Sequence, residues 1–137
     1  MINTTTSDEL DGYVVESDNI IGCVLFSRFI LPNNKSAYIL SPMAIATDHQ
    51  KKGLGQALIK YGINELKAKN VEILITYGDP GYYSKVGFEP ITEDMIQAPQ
   101  PLTYPSGWLA QSLTSNSIKP MPGKTTCISA LNAPVYW

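Results

Sequence analysis

The stretch whose reading decides the fold is MAIATDHQKKGLGQALI, residues 43–59. An apolar strand end runs into a polar turn that holds the only histidine, His49. Two glycines, Gly53 and Gly55, follow, and then a helical pattern begins. A helix start leaves unpaired backbone N–H groups and carries the positive end of the helix dipole. Glycines let that backbone approach a bulky anion without a Cβ in the way. The geometry therefore suits a phosphate or pyrophosphate, with Lys51 and Lys52 adding charge at the rim. His49 itself reads as an exposed loop residue.

Downstream, Gln56, Lys60, Asn64 and Lys67 recur at helical spacing on one face. Leu54, Leu58, Tyr61, Gly62 and Leu66 fall on the other, as a core-facing stripe does. Asn70 can stop the helix in the left-handed conformation. Residues 71–77 (VEILITY) are nearly all apolar, the mark of a strand buried on both faces. Strand, glycine-rich loop, helix and buried strand make a βαβ unit, whose crossover should be right-handed.

Upstream, residues 37–46 (AYILSPMAIA) read as the strand that enters this unit. Pro42 lies inside it and cannot donate to a sheet ladder, so an apolar strand here implies a bulge. Residues 12–16 and 20–31 read as an antiparallel hairpin around the turn chemistry of Ser17, Asp18 and Asn19. Residues 32–36 form another turn. Beyond the unit come a loop at 78–81, a helical turn at 82–86 ended by Gly87, and a short strand at 88–91. A proline-rich segment spans 98–107, and a final strand spans 108–114. Residues 115–137 keep apolar side chains (Ile128, Leu131, Val135, Trp137) and are expected to pack on the body.

The chain has 137 residues, which suits one domain, and at 44% hydrophobic it can bury a core. A net charge of −2, mixed along the chain, gives no general argument for nucleic acid or an anionic membrane. Neither is expected as a partner. Cys23 and Cys127 lie far apart and only one histidine is present, so a standard zinc site is excluded and no metal is expected. The thiols read as reduced, in a cytoplasmic protein. Residues 1–12 lack the apolar core of a signal peptide. Nothing approaches the roughly 18 apolar residues of a membrane span.

Three phosphate motifs compete for the loop. A Walker A loop fails, because Ile118 stands where the first glycine before Gly123-Lys124-Thr125 is needed. A Rossmann fingerprint is weak: Leu58 occupies the third glycine position, and Glu72 lies at the start of the next strand, not its end. The third is Q-x-x-G-x-G, here Gln50 to Gly55. With the second motif YYSKVGFEP at residues 82–90, which matches Y-x-x-x-G-F through Tyr83, Gly87 and Phe88, the chain resembles the GNAT-type N-acetyltransferases. The segment GDPGYYSKVGFEP is similar to a bacterial group of small acetyltransferases with GDPxYYxxxGF. The resemblance covers roughly residues 12–90.

That resemblance implies an α/β (α+β) fold, a mixed, mostly antiparallel sheet with one parallel βαβ unit. It implies a single domain over residues 1–137: a motif-bearing core at 12–90, then a C-terminal strand and packed tail at 91–137. Backbone groups of Ala44, Ile45 and Ala46 would hold the pantetheine arm of acetyl-CoA. Gln50, Lys51, Lys52, Gly53, Leu54 and Gly55 would hold its pyrophosphate. Tyr83 would be the general acid for the departing thiolate, and Asp79 a candidate base. Tyr82 reads as core packing. The reaction implied is direct attack of a small-molecule or peptide amine on the thioester. Only about a dozen polar residues precede the first hairpin strand. The family's N-terminal strand and two helices, which wall the acceptor site, are therefore expected to be absent. A homodimer is expected to cover the shortened sheet. A non-catalytic acyl-CoA-binding or interaction module is the alternative, and a nucleotide-binding protein using the same loop a further one.

Overall fold

The computed structural model of the chain describes residues 2–6, 10–16, 20–40, 44–45 and 54–127. Nine strands lie in one sheet among these residues. In chain order they are β1 (Ile2–Thr6), β2 (Leu10–Glu16), β3 (Ile20–Ile30), β4 (Ser36–Leu40), β5 (Ala44–Ile45), β6 (Ile73–Tyr77), β7 (Glu89–Pro90), β8 (Trp108–Ser112) and β9 (Thr126–Cys127). The order across the sheet is β1-β2-β3-β4-β6-β8-β7, with β5 and β9 both paired to β3. Helix α1 is Leu54–Ala68 and the short helix α2 is Pro80–Tyr83. Every strand pair is antiparallel except β4 with β6, the two that α1 connects. This is the expected class, a mixed α/β fold with one parallel βαβ unit.

Strand β1 was not anticipated. Residues 2–6 (INTTT) pair with β2 from Ile2↔Val15 to Thr6↔Asp11. The sequence is polar, which hid it, but β-branched Ile and Thr favour the extended backbone.

Side-chain alternation builds two cores, one on each face of the sheet. On the α1 face, Phe26, Leu40, Leu74 and Leu109 pack with Leu58, Ile59, Ile63 and Leu66 of the helix. Gly62 makes this close: a Cβ there would run into the Phe26 ring. A Schellman ending closes α1, with Asn70 at φ 64°. The Val71 N–H reaches the Leu66 carbonyl and the Asn70 N–H reaches that of Lys67.

On the opposite face, Phe29, Ile39, Ile73, Ile75, Trp108 and Ala110 pack under the C-terminal segment, through Ile96, Ala98, Met121 and Cys127. Three polar contacts fasten that cover. The Trp108 indole N–H donates to the Ile96 carbonyl at 2.8 Å. The buried Thr125 hydroxyl donates to the Gln97 carbonyl at 2.6 Å. Residues Ile96 and Met121 form a parallel bridge. Ile118, Met121, Thr125 and Cys127 are buried or packed here; Ile128, Leu131, Val135 and Trp137, on which the expected packing of the tail rests, lie outside the described residues.

Candidate active site

The candidate site lies where β4 and β6 part. Their ladder runs from Ala37↔Ile73 to Leu40↔Thr76. Beyond it β5 pairs with β3, and no β5–β6 pairing occurs among the described residues. The register along β3 also slips. From Phe26 to Cys23 β3 advances three residues, while its partner advances four, from Leu40 to Ala44. One extra residue on that strand is the signature of a bulge, which bends a strand and frees backbone groups. Pro42, the predicted cause, lies outside the described residues.

Of the predicted donor-site residues, Ala44 and Ile45 form β5, at the open end of the parallel pair. Leu54 and Gly55 open α1, and Gly55 is buried. No acidic residue occupies the first turn of α1, so nothing there offsets the positive end of its dipole. Ala46, Gln50, Lys51, Lys52 and Gly53, like His49, lie outside the described residues.

Tyr83 closes α2. The helix starts at Asp79, whose carboxylate Oδ1 accepts the Gly81 N–H at 2.9 Å, and Pro80 follows at the position where a missing N–H costs nothing. A 3-10 turn, Ser84–Val86, continues it until Gly87 at φ 98°, a conformation that only glycine adopts freely. The Phe88 N–H then returns to the Tyr83 carbonyl at 3.2 Å. The Tyr83 ring meets Phe88 edge-on at 5.8 Å and Tyr82 edge-on at 5.1 Å. Both tyrosines are half-buried against the α1-face core, so Tyr82 packs as expected.

The ring of Tyr83 lies over the end of β6. A Cβ on Gly78 would come within 2.7 Å of its Cε2. Thr76, two residues earlier and buried, lies on the same face of β6. Burial raises the Tyr83 phenol above the usual tyrosine value; the neighbouring Thr76 hydroxyl opposes that, and the Asp79 charge adds to it. Tyr83 is therefore a protonated phenol throughout the neutral range, able to give a proton to a strong base. Asp79 is exposed and engaged as the α2 cap.

Comparison with known proteins decides the family. A family model described as an acetyltransferase (GNAT) domain matches residues 8–90, well over half the chain. The chain belongs to the GNAT acetyltransferase family. Over 101 residues it is 32% identical to the uncharacterized N-acetyltransferase YjhQ of Escherichia coli, covering 69% of this chain and 56% of that protein. It is 30% identical over 81 residues to the uncharacterized N-acetyltransferase YhbS of Escherichia coli, covering 57% and 48% respectively. This chain thus spans about half the length of these curated relatives.

Among solved structures, the GNAT family N-acetyltransferase YhbS from Escherichia coli in complex with CoA has a TM-score of 0.80 at 22% identity, covering 90% of this chain and 69% of that one. A GNAT family acetyltransferase from Brucella melitensis in complex with acetyl-CoA has a TM-score of 0.68 at 23% identity, covering 88% and 68%. These likenesses establish the fold. Among the described residues there is no cluster of three or more potential metal ligands. No helix there is long and apolar enough to cross a membrane.

Sequence reasoning missed Thr76 and Gly78 as the surface beneath Tyr83. A signal existed: Thr76 is the polar break in an otherwise apolar strand, and a buried hydroxyl needs a partner.

Proposed function

We propose that this GNAT family member transfers an acetyl group from acetyl-CoA to a primary amine of a small molecule or peptide. The observation that carries the reading is the pairing of an opened β4–β6 ladder with the Tyr83 ring over the end of β6. Related proteins captured with CoA and acetyl-CoA support the cosubstrate.

In this reading the freed backbone groups of Ala44, Ile45 and Ala46 hold the pantetheine arm as an added strand would. An N–H there polarises the thioester carbonyl. Backbone amides from Gln50 to Gly55 hold the pyrophosphate, with Lys51 and Lys52 beside them. The amine nitrogen forms a bond to the carbonyl carbon and the carbon–sulfur bond breaks. Tyr83 gives its proton to the departing thiolate and regains one from solvent. The nitrogen loses its proton to a base, for which Asp79 is the candidate by position, or to water. The products are the acetylated amine and free CoA thiol. A homodimer that covers the sheet edges belongs to the same reading; a monomeric mass by light scattering at micromolar concentration removes it.

Calorimetric titration with CoA and acetyl-CoA is the test, followed by thiol release over a panel of amines. No binding at millimolar ligand sinks the proposal. Binding without thiol release favours a non-catalytic acyl-CoA-binding module. ATP or NAD displacing CoA favours a nucleotide-binding protein. Where transfer occurs, Tyr83→Phe should slow it by about a hundredfold or more with little change in CoA affinity.

A further inference from the structure

Side chains in a strand alternate, so Leu74, Thr76 and the position of Gly78 stack in one column on the α1 face of β6. Leu74 is fully buried in the α1-face core. Thr76 is 1% exposed and is the last rung of the β4–β6 ladder, paired with Leu40, and with Leu109 on the β8 side. Gly78 offers no side chain, and the Tyr83 ring occupies the space, 2.7 Å from where a Cβ would sit. Phe88 and Tyr82 bracket that ring edge-on.

We propose that Thr76 and Gly78 are the positioning residues for Tyr83. Gly78 provides the floor that admits the ring, and the Thr76 hydroxyl holds the phenol over the point where β4 and β6 part. The inference rests on the reading of Tyr83 as general acid. When Tyr83 gives up its proton, a phenolate forms in a partly desolvated site. The Thr76 hydroxyl donates to that oxygen, a bond stronger to an anion than to the neutral phenol. The ionisable groups around the phenol among the described residues are Asp79 and Tyr82, both of α2 and its cap. Asp79 cannot donate to a phenolate: it is a carboxylate that accepts the Gly81 N–H.

The test uses the full chain with Thr76→Val, Thr76→Ser, Gly78→Ala, Tyr83→Phe and the doubles that pair Tyr83→Phe with Thr76→Val or Gly78→Ala. The expected result is CoA binding within about twofold of the parent for every single variant. Thiol release should fall roughly ten- to a hundredfold for Thr76→Val and for Gly78→Ala. Thr76→Ser should keep most of the rate. In the Tyr83→Phe background neither substitution should slow release further, because each acts through the phenol.

Tyr83 ionisation, read from phenolate absorbance against the Tyr83→Phe protein, should move to higher pH in Thr76→Val. That titration needs no acceptor amine. Parent-like rates in both variants, or slowdowns that multiply with that of Tyr83→Phe, overturn the proposal. A parent-like rate for Tyr83→Phe sinks the general-acid reading by itself; the titration then still decides whether Thr76 holds the phenol, an unmoved midpoint overturning it. Should Thr76→Val fail to fold, Gly78→Ala, which leaves every polar group in place, supplies the same cycle.

Discussion

The hydroxyl of Tyr77 accepts the backbone N–H of Tyr104 at 2.6 Å, 27 residues along the chain. It also shares a hydrogen bond of 3.3 Å with the Thr103 hydroxyl. Tyr77 follows Thr76 directly, so alternation sends it to the opposite face of β6. One strand end thereby serves two faces: the Tyr83 ring sits over Gly78 on the α1 face, and Tyr77 holds the proline-rich loop on the other. The Gly78 N–H, bonded to the Gly107 carbonyl at 3.0 Å, ties the same loop once more.

Tyr77→Phe removes that acceptor while keeping the ring, which meets Trp108 edge-on at 6.4 Å. The loss should be about 1 kcal/mol, since the contact is exposed and water replaces the missing partner. The Tyr104 amide should exchange its hydrogen faster than in the parent chain. An unchanged exchange rate would show that the Gly78–Gly107 bond alone holds the loop.

Gly62→Ala sets two effects against each other. Alanine gains roughly 1 kcal/mol over glycine in a helix interior. The new methyl, however, meets the ring of Phe26, which is 0% exposed and has nowhere to move. Overpacking of this kind costs about 1–3 kcal/mol, so the net effect should be destabilising, by about 0–2 kcal/mol. Adding Phe26→Leu should recover part of the loss in a urea melt. A variant more stable than the parent would mean α1 shifts on β3 at little cost.

Trp108→Phe tests how the C-terminal segment is held. The indole N–H is the buried link to the Ile96 carbonyl, and Trp108 itself is 0% exposed. Losing the donor leaves a carbonyl unsatisfied and a void beside Phe29, together about 2–4 kcal/mol. Limited proteolysis should then cut within residues 91–125 at a lower protease dose. Parent-like resistance would place the hold in the Thr125–Gln97 bond instead.

What was legible in the sequence was what is local. The polar stripe from Gln56 to Lys67, the left-handed Asn70 and the apolar run into β6 each signal through neighbours a few residues away, and each appears in the structure. The helical turn at Tyr83 and its glycine stop belong with them. The place of Tyr83 on that turn was legible through its motif. Its seat was not, because Thr76 and Gly78 gain meaning only when α2 folds back over β6. The cover over the second face was hidden for the same reason: Trp108 with Ile96, and Thr125 with Gln97, are non-periodic contacts made across the fold. Strand β1 was hidden because its Thr and Asn side chains leave no apolar alternation to mark it.

Alkaline pH should weaken the fold through one buried and two half-buried acids. Burial raises the Cys127 thiol above its ordinary 9.0, a backbone hydrogen bond partly opposing it. Burial likewise raises Tyr83 and Tyr82 above 10.0. A raised value means the folded chain keeps its proton to higher pH than the unfolded chain does. Unfolding then releases protons, and release is favoured as pH climbs. The stability these groups contribute is fully present below pH 9.0 and is lost above it, first through Cys127 and then, beyond 10.0, through the tyrosines. Urea midpoints followed from neutral pH upward should therefore fall in two stages. Cys127→Ala should remove the first decline, and Tyr82→Phe with Tyr83→Phe should flatten the second. If the doubly substituted chain falls as steeply as the parent, the tyrosines are not the source, and the proton that Tyr83 is proposed to give is held no more tightly in the fold than in water.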